Sequence, residues 1–446
     1  MNIKIDSRKV NSGDTFIALR GINKDGHEFI EDAINRGATK IISEEPINKD
    51  DNIDNIVVKD TKEYLKEYLK NNYYEKIKNL KLIGMTSTNG KTTTCFLIFQ
   101  ALIKSGIKCA YIGTLGFYLI DEKRILNNTT PNIYEMYEML LECASKDYEY
   151  VVMEVSSQGL SMGRVDTLLF DYVIFSNLTQ DHLDYHKTME NYVLEKQKLF
   201  KMTRDSFAII NNDDEYKDYF ILDNKNITYG KTNSDYKISN INLNIKGSYF
   251  NLNDEEYFTK LIGEYNIYNI TIVIIILKLL KINNIMEIIS ELNSPNGRMD
   301  IINYKDNTII VDYAHTPDAV EKIITNVSKL PHSRIITLVG CGGNRDKKKR
   351  SIMGDIATKY SDFVIFTSDN PRFEKPKKII KDIVCKLYTK NYRIIVNRKK
   401  AIKKSVQMLK KNDILLLLGK GHEDYQIIRD KKIPFSDKKI VLKYLR

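Results

Sequence analysis

The residues best suited to chemistry lie in one stretch, Gly84-Met85-Thr86-Ser87-Thr88-Asn89-Gly90-Lys91-Thr92-Thr93. An apolar run ends here in a loop of small residues, and Lys91-Thr92-Thr93 opens a helical pattern over 95–102. Strand, loop and helix in that order present backbone N–H groups and a helix N-terminus to an anion. Lys91 is placed to reach the β- and γ-phosphates of a nucleotide, and the Thr92 hydroxyl to face a magnesium ion. The strict phosphate-loop spacing wants glycine five residues before Gly90. That position is Met85, and the glycine stands one residue earlier, at Gly84.

Further candidates stand at the ends of apolar runs. The run 150–155 ends in Glu154-Val155-Ser156-Ser157-Gln158-Gly159-Leu160, which offers a carboxylate beside a phosphate loop. The run 172–176 leads into Asn177-Leu178-Thr179-Gln180-Asp181-His182-Leu183-Asp184-Tyr185-His186, with two of the six histidines and two aspartates within six residues. Towards the C-terminus four polar loops each follow an apolar run. They begin at Asp312-Tyr313-Ala314-His315, Gly340-Cys341-Gly342-Gly343-Asn344-Arg345, Asp369-Asn370-Pro371-Arg372 and Gly419-Lys420-Gly421-His422-Glu423. In open α/β sheets ligands bind beyond the strand C-termini, so these loops share the binding edge. A carboxylate or histidine standing alone at such a place is more often a cap or a satisfied polar group. The clustering is what argues for a site.

The elements that position these residues fall into three expected domains. Residues 1–78 carry short strands at 3–6, 15–19, 40–43 and 56–58, a loop at 21–26 and a helix at 29–36 stopped by Gly37. Residues 79–297 hold the phosphate loop, a strand at 109–112, a helix at 134–145, a helix at 190–200, a strand at 207–211 and a buried helix at 263–280. Residues 298–446 alternate strands (308–311, 334–339, 363–367, 392–396, 413–418) with helices (317–330, 350–359, 376–388, 398–410). That alternation predicts a doubly wound α/β sheet.

Composition sets the class. The chain has 446 residues, 42% hydrophobic and 28% charged, and reads as globular with room for several cores. Its net charge of +11 is compatible with nucleic acid, a membrane surface or polyanionic small substrates, or with a solvated basic surface. The five cysteines include no CxxC pair, which argues for a reducing compartment and against a cysteine metal site. No secretory leader is evident, and the most apolar run, 270–280, is too short to span a bilayer. A cytoplasmic protein without membrane insertion is expected.

Together these motifs resemble the Mur ligases, ATP-dependent enzymes that add amino acids to the peptidoglycan precursor. The phosphate loop is similar to the family's Gly-x-Thr-Gly-Thr-Asn-Gly-Lys-Thr, with Ser87 where the family usually has glycine. Glu154–Leu160 is similar to Glu-Val-Ser-Ser-His, with Gln158 in place of histidine, and Asp181–His186 to Asp-His-Leu-Asp-Tyr-His. Gly297-Arg298-Met299-Asp300 and the loops from Asp312 and Gly340 match as well. Asp6-Ser7-Arg8 resembles the uridine-binding strand of the branch that adds the third peptide residue, and Asp369–Arg372 with Gly419–Glu423 resembles the part of it using meso-diaminopimelate.

The resemblance implies a fold and a set of roles. The fold is α/β: a small N-terminal α/β domain, a central P-loop-type ATPase domain with a mostly parallel sheet, and a C-terminal Rossmann-like doubly wound domain. Thr86, Ser87, Thr88, Asn89, Gly90, Lys91, Thr92 and Thr93 would hold ATP, completed by Asn269, Arg298, Asp312 and His315. Lys91, Glu154, His182 and Lys196 would be catalytic. Thr92, Glu154, His182 and Lys196 would hold Mg2+, with Lys196 as the N6-carboxylated (carbamylated) form. Ser7, Thr129, Thr130, Ser156 and Arg164 would grip UDP-MurNAc-L-Ala-D-Glu. Arg345, Asp369, Asn370, Pro371, Arg372, Gly419 and Glu423 would select the incoming diamino acid, since Arg372 suits a distal carboxylate and Glu423 an ammonium. Meso-lanthionine would satisfy the same two contacts. The expected protein is a monomer that binds no nucleic acid. A lysine-adding relative, a folylpolyglutamate synthase-like ligase and a nucleotide-dependent nucleic-acid-binding protein are the competing readings.

Overall fold

The computed structural model describes residues 1–21, 24–47, 53–223, 225–244 and 246–445. Ile22 and Asn23 of the expected loop at 21–26 lie outside the described residues. The chain forms two compact units. The first comprises residues 1–84, 108–172 and 201–206, the second residues 85–107, 173–200 and 207–446.

In the first unit, strands Ile3–Lys4, Thr15–Ile17, Lys40–Ser43 and Asp54–Val57 pair in chain order, all parallel. Val10, Phe16, Ala18, Ile30, Ala33, Ala38 and Ile41 form their core. The expected helix at 29–36 divides into a 3-10 turn, Gly26–Phe29, and an α-helix, Ile30–Asn35. Asp25 caps the turn by accepting the His27 N–H, which draws the helical path back to Gly26. Strand Cys109–Gly113 pairs in parallel with Tyr150–Glu154, so Glu154 ends a buried strand. Helix Thr61–Ile77 was not legible beforehand. It is polar and rich in tyrosine, and buries only Thr61, Leu65, Leu69 and Ile77.

In the second unit, helix Lys91–Lys104 packs against Glu264–Leu279. The latter buries every residue from Asn269 to Leu277, as the apolar run 272–277 requires. Strands Tyr236–Asn244, Gly247–Leu252 and Glu255–Thr259 form an antiparallel meander that the sequence reading passed over. A six-stranded sheet follows in the order Asp300–Tyr304, Asn307–Asp312, Ile414–Leu418, Ile335–Val339, Phe363–Phe366, Tyr392–Ile394. Its pairings are parallel except the first. Alternate residues of its strands feed two cores. Ile310, Val339, Phe366, Leu416 and Leu418 face helices Pro317–Val327, Lys348–Tyr360 and Pro376–Val384. Ile309, Val311, Leu338, Ile365 and Leu417 face Arg398–Gln407 and Asp437–Leu445. Parallel strands covered on both faces need apolar side chains at every position, and Ile414–Leu418 (Ile-Leu-Leu-Leu-Leu) shows it. No helix among the described residues is long and apolar enough to cross a membrane.

Candidate functional site

The loop 87–90 is held from several sides within the second unit. The Thr88 N–H donates to the Asn177 carbonyl at 2.9 Å, and the Asn89 N–H to Asn177 Oδ1 at 2.9 Å. Thr88 Oγ1 donates to the Thr179 carbonyl at 3.2 Å. Gly90, the N-cap of helix Lys91–Lys104, has φ +89°. A Cβ there would also lie 2.9 Å from Asn269 Oδ1, so glycine is required twice over. Asn269 Oδ1 accepts from Thr94 Oγ1 at 3.0 Å, and Asn269 Nδ2 donates to Asn266 Oδ1 at 3.0 Å. Lys91 Nζ folds back over the loop to the Ser87 and Thr88 carbonyls at 2.6 and 3.1 Å. Arg298 comes to the helix start, with Nη2 3.4 Å from Thr92 Oγ1.

Lys196, on helix Met189–Lys201, is 1% exposed. Its Nζ donates to the Ser87 carbonyl at 2.8 Å, stands 3.4 Å from Thr86 Oγ1, and lies 4.7 Å from the Tyr192 ring centroid. Burial, with Lys91 adding to it, holds its pKa well below the usual lysine range, so a neutral amine is favoured. Lys198, the neighbouring lysine, instead pairs with Glu195 at 2.8 Å in a half-exposed position. His182 is half exposed at φ +53°, with Nε2 3.5 Å from Asp181 Oδ2. Among the described residues no three His, Cys, Asp or Glu side chains form a metal-holding group. The donors gathered at Lys196 are a hydroxyl and a backbone carbonyl, hard oxygens of the kind Mg2+ prefers.

The C-terminal loops meet as their strand-end placement requires. Asp312 accepts the N–H groups of Met299 and Ala314, each at 2.7 Å, and so shapes the turns that carry Arg298 and His315. Burial raises its pKa, opposed by Arg298. The Arg298 guanidinium lies 4.5 Å from the Tyr313 ring, and the His422 ring 5.1 Å from the same ring. The His315 Nδ1 lies 2.9 Å from the Tyr313 carbonyl. Asp369 and Asn370 are buried. Asn370 Nδ2 donates to Glu423 Oε2 at 2.8 Å, and Arg372 Nη1 to the Gly343 carbonyl at 3.0 Å. A Cβ on Gly419, at φ +110°, would fall 2.6 Å from Asp369 Oδ2. Pro371 is buried and Arg345 exposed. Burial and the Arg345 charge lower the Arg372 pKa, with Asp369 and Glu423 opposing.

The first unit gathers a separate cluster. Glu154 is fully buried, and Oε1 accepts from the Tyr111 hydroxyl and, at 2.8 Å, from the Thr114 N–H. Thr114 Oγ1 reaches Glu154 Oε2 at 3.1 Å and Thr129 Oγ1 at 3.0 Å. Thr130 Oγ1 donates to the Glu154 carbonyl at 2.9 Å and lies 3.1 Å from Ser156 Oγ. Arg164 Nη1 donates to the Thr130 carbonyl at 2.6 Å. Thr129, Thr130, Ser156 and Arg164 thus stand together around Glu154. Ser7 lies apart from them, in the 3-10 turn that follows Asp6. It is buried in the turn Ser7–Lys9, and it helps hold the Asp32 carboxyl below its usual range.

The structure adds residues that sequence reasoning missed. Asp318, at the start of helix Pro317–Val327, accepts Asn89 Nδ2 at 2.8 Å and Thr179 Oγ1 at 3.3 Å. Tyr111 and Thr114 orient Glu154, and Lys420 reaches Asn370 and Glu423. Two carried a signal: Lys420, as a charged residue between two glycines of a strand-end loop, and Asp318, as the end of the family-like stretch from Asp312.

Comparison with known proteins gives these clusters a common frame. Residues 1–83 match the model of the Mur ligase family catalytic domain, residues 85–277 the Mur ligase middle domain, and residues 297–421 the Mur ligase glutamate ligase domain. The chain is 41% identical to UDP-N-acetylmuramoyl-L-alanyl-D-glutamate–2,6-diaminopimelate ligase 1 of Clostridium acetobutylicum, over 100% of this chain and 94% of that protein. It is also 41% identical to the 2,6-diaminopimelate ligase of that name from Aquifex aeolicus, over 99% and 93%. A solved structure of a UDP-N-acetylmuramoyl-L-alanyl-D-glutamate–2,6-diaminopimelate ligase aligns with a TM-score of 0.71 at 30% identity, covering 99% of this chain and 94% of that one. MurF of Thermotoga maritima in complex with ADP aligns at 0.69 and 20% identity, over 99% and 96%, and shares the fold. With all three family segments in order along one α/β chain, the protein belongs to the Mur ligase family of ATP-dependent acid–amino-acid ligases.

Proposed function

We propose that this ligase joins a 2,6-diaminopimelate-type amino acid to UDP-MurNAc-L-Ala-D-Glu in peptidoglycan precursor synthesis. The observation that carries the reading is the side-chain cluster formed by the loops 369–372 and 419–423. It sets the Arg372 guanidinium and the Glu423 carboxylate on either side of the buried Asn370. An amino acid whose far end bears both a carboxylate and an ammonium matches that pair. The near-full-length identity to ligases of that name supports it. Residues 1–78, 79–297 and 298–446 would serve as nucleotide-sugar, ATP and amino-acid domains.

In this reading ATP phosphorylates the D-glutamate carboxylate to an acyl phosphate. The incoming amine attacks the acyl carbon, and the tetrahedral adduct expels phosphate. Such transfers need positioning and charge compensation rather than a protein nucleophile. Residues 86–93 with Lys91 hold the phosphates, and Asn269, Arg298, Asp312 and His315 complete the nucleotide site. Ser7, Thr129, Thr130, Ser156 and Arg164 hold the UDP substrate. Arg345, Asp369, Asn370, Pro371, Arg372, Gly419 and Glu423 hold the amino acid. Lys196, as a neutral amine, adds to CO2 through Nζ and releases a proton, becoming a carbamate. Thr92, Glu154, His182 and that carbamate would hold Mg2+, which supplies charge neutralisation for the transferred group. The protein would act in the cytoplasm as a monomer.

The test is phosphate release from ATP with UDP-MurNAc-L-Ala-D-Glu and, in parallel, meso-diaminopimelate, meso-lanthionine and L-lysine. Turnover with a two-ended amino acid and not with lysine is expected. Turnover with lysine alone overturns the specificity, and no turnover with any of them overturns the substrate assignment.

A further inference from the structure

Lys420 lies within this candidate amino-acid cluster, and the ligation chemistry assigns it no task. Its side chain is wholly buried, and that of Glu423 is 13% exposed. Lys420 Nζ donates to Glu423 Oε2 at 2.7 Å and to Asn370 Oδ1 at 3.1 Å. Asn370 Nδ2 donates to the same Oε2 at 2.8 Å, and Asn370 Oδ1 also accepts the Ile427 N–H at 2.9 Å. The amide orientation is therefore fixed from three directions. Oε2 is occupied, and Oε1 is left for a further donor.

The pairing changes what Glu423 can attract. A bare buried carboxylate would draw in any cation, whereas one already compensated by a buried lysine offers direction but little net charge. Around it stand Arg372, Arg345 and Asp369, so the gathered side chains carry one more positive charge than negative.

Resting on the reading of this pocket as the amino-acid site, we propose that Lys420 is a specificity-determining residue that makes the pocket refuse an amino acid ending in an ammonium alone. A far end with ammonium and carboxylate enters neutral, donating to Oε1 and accepting from Arg372. An ammonium alone adds a second uncompensated positive charge. Selectivity then comes from repulsion of the wrong substrate as well as attraction of the right one.

The experiment compares the full chain with Lys420→Met, a side chain of similar length without charge. Phosphate release is followed with diaminopimelate and with L-lysine, each at saturating ATP and UDP-MurNAc-L-Ala-D-Glu. The ratio of kcat/KM for diaminopimelate over lysine is expected to fall by about tenfold or more, mainly through a lower KM for lysine, while Lys420→Arg keeps the ratio. A ratio unchanged while both rates fall shows a purely structural lysine and overturns the proposal. Should Lys420→Met fail to fold, the unaltered protein decides. L-lysine and L-norleucine both lack the far carboxylate and differ in the terminal ammonium. As competitors of diaminopimelate, lysine must be the weaker, and lysine binding tighter overturns the proposal. An unaltered chain that turns over neither diaminopimelate nor lysine instead removes the amino-acid assignment of the pocket, a result that no property of Lys420 could produce.

Discussion

Lys91 and Lys196 donate to one atom, the carbonyl oxygen of Ser87, at 2.6 and 2.8 Å. Two cations on one acceptor repel, and burial together with the Lys91 charge lowers the proton affinity of Lys196. The loop 86–93 is thus gripped by a half-buried lysine and by a fully buried one whose neutral form is favoured.

Lys196→Met is expected to lower activity by about a hundredfold or more if Lys196 carries the proposed carbamate. Partial rescue by a small carboxylate would support that role, and full activity without rescue rejects it. In CO2-free buffer the same variant should unfold at a higher temperature. The unfolded chain binds the Lys196 proton up to the ordinary value of 10.5, whereas the folded chain releases it far lower, so the native lysine weakens the fold across that window. The gain in the variant should be greatest towards the acid end of the window and vanish near pH 10.5. Thermal unfolding from pH 6 to 10 checks the sign.

Arg372→Ala should raise the KM for diaminopimelate by about ten- to a hundredfold, the worth of hydrogen bonds to a charged group. Turnover with L-lysine should not fall and should rise, because one of the charges that repel a lone ammonium is gone. Unaltered diaminopimelate affinity would detach Arg372 from the substrate.

Gly90→Ala forces a left-handed alanine, costing roughly 1–2 kcal/mol, and pushes Asn269 Oδ1 from its place against Thr94. A raised KM for ATP with an unchanged KM for the amino acid is the expected pattern. Equal effects on both would mark a general loosening.

Arg398 and Asp437 are fully buried and joined at 2.9 and 2.6 Å. Asp437→Asn leaves the guanidinium uncompensated and should cost about 3–5 kcal/mol in urea unfolding. A change below about 1 kcal/mol would show that water reaches the pair.

The placement of chemistry at strand ends was readable from the chain. Glu154, Asp312, the loop from Asp369 and Gly419 each follow an apolar run, and strands Tyr150–Glu154, Asn307–Asp312, Phe363–Phe366 and Ile414–Leu418 bear them. The meander at 236–259 was not readable, because Tyr236–Asn244 buries only Ile238 and leaves its other positions half-buried or exposed. Nor was the contact of Asp318 with Asn89 across 229 residues of chain, since a carboxylate in a helix's first turn looks like ordinary dipole compensation. The proton affinity of Lys196 comes from burial, and its sequence neighbours do not reveal it.

Arg398 also donates through Nη2 to the carbonyl of Leu418 at 2.9 Å, one residue before Gly419. The last helix, Asp437–Leu445, thereby anchors the strand end from which the loop 419–423 springs, and Lys438 adds a link to Asp300 at 2.9 Å. Protein engineers should therefore treat this helix as structural, because a change that removes Asp437 takes the counter-charge from a buried arginine and slackens the loop that follows Leu418.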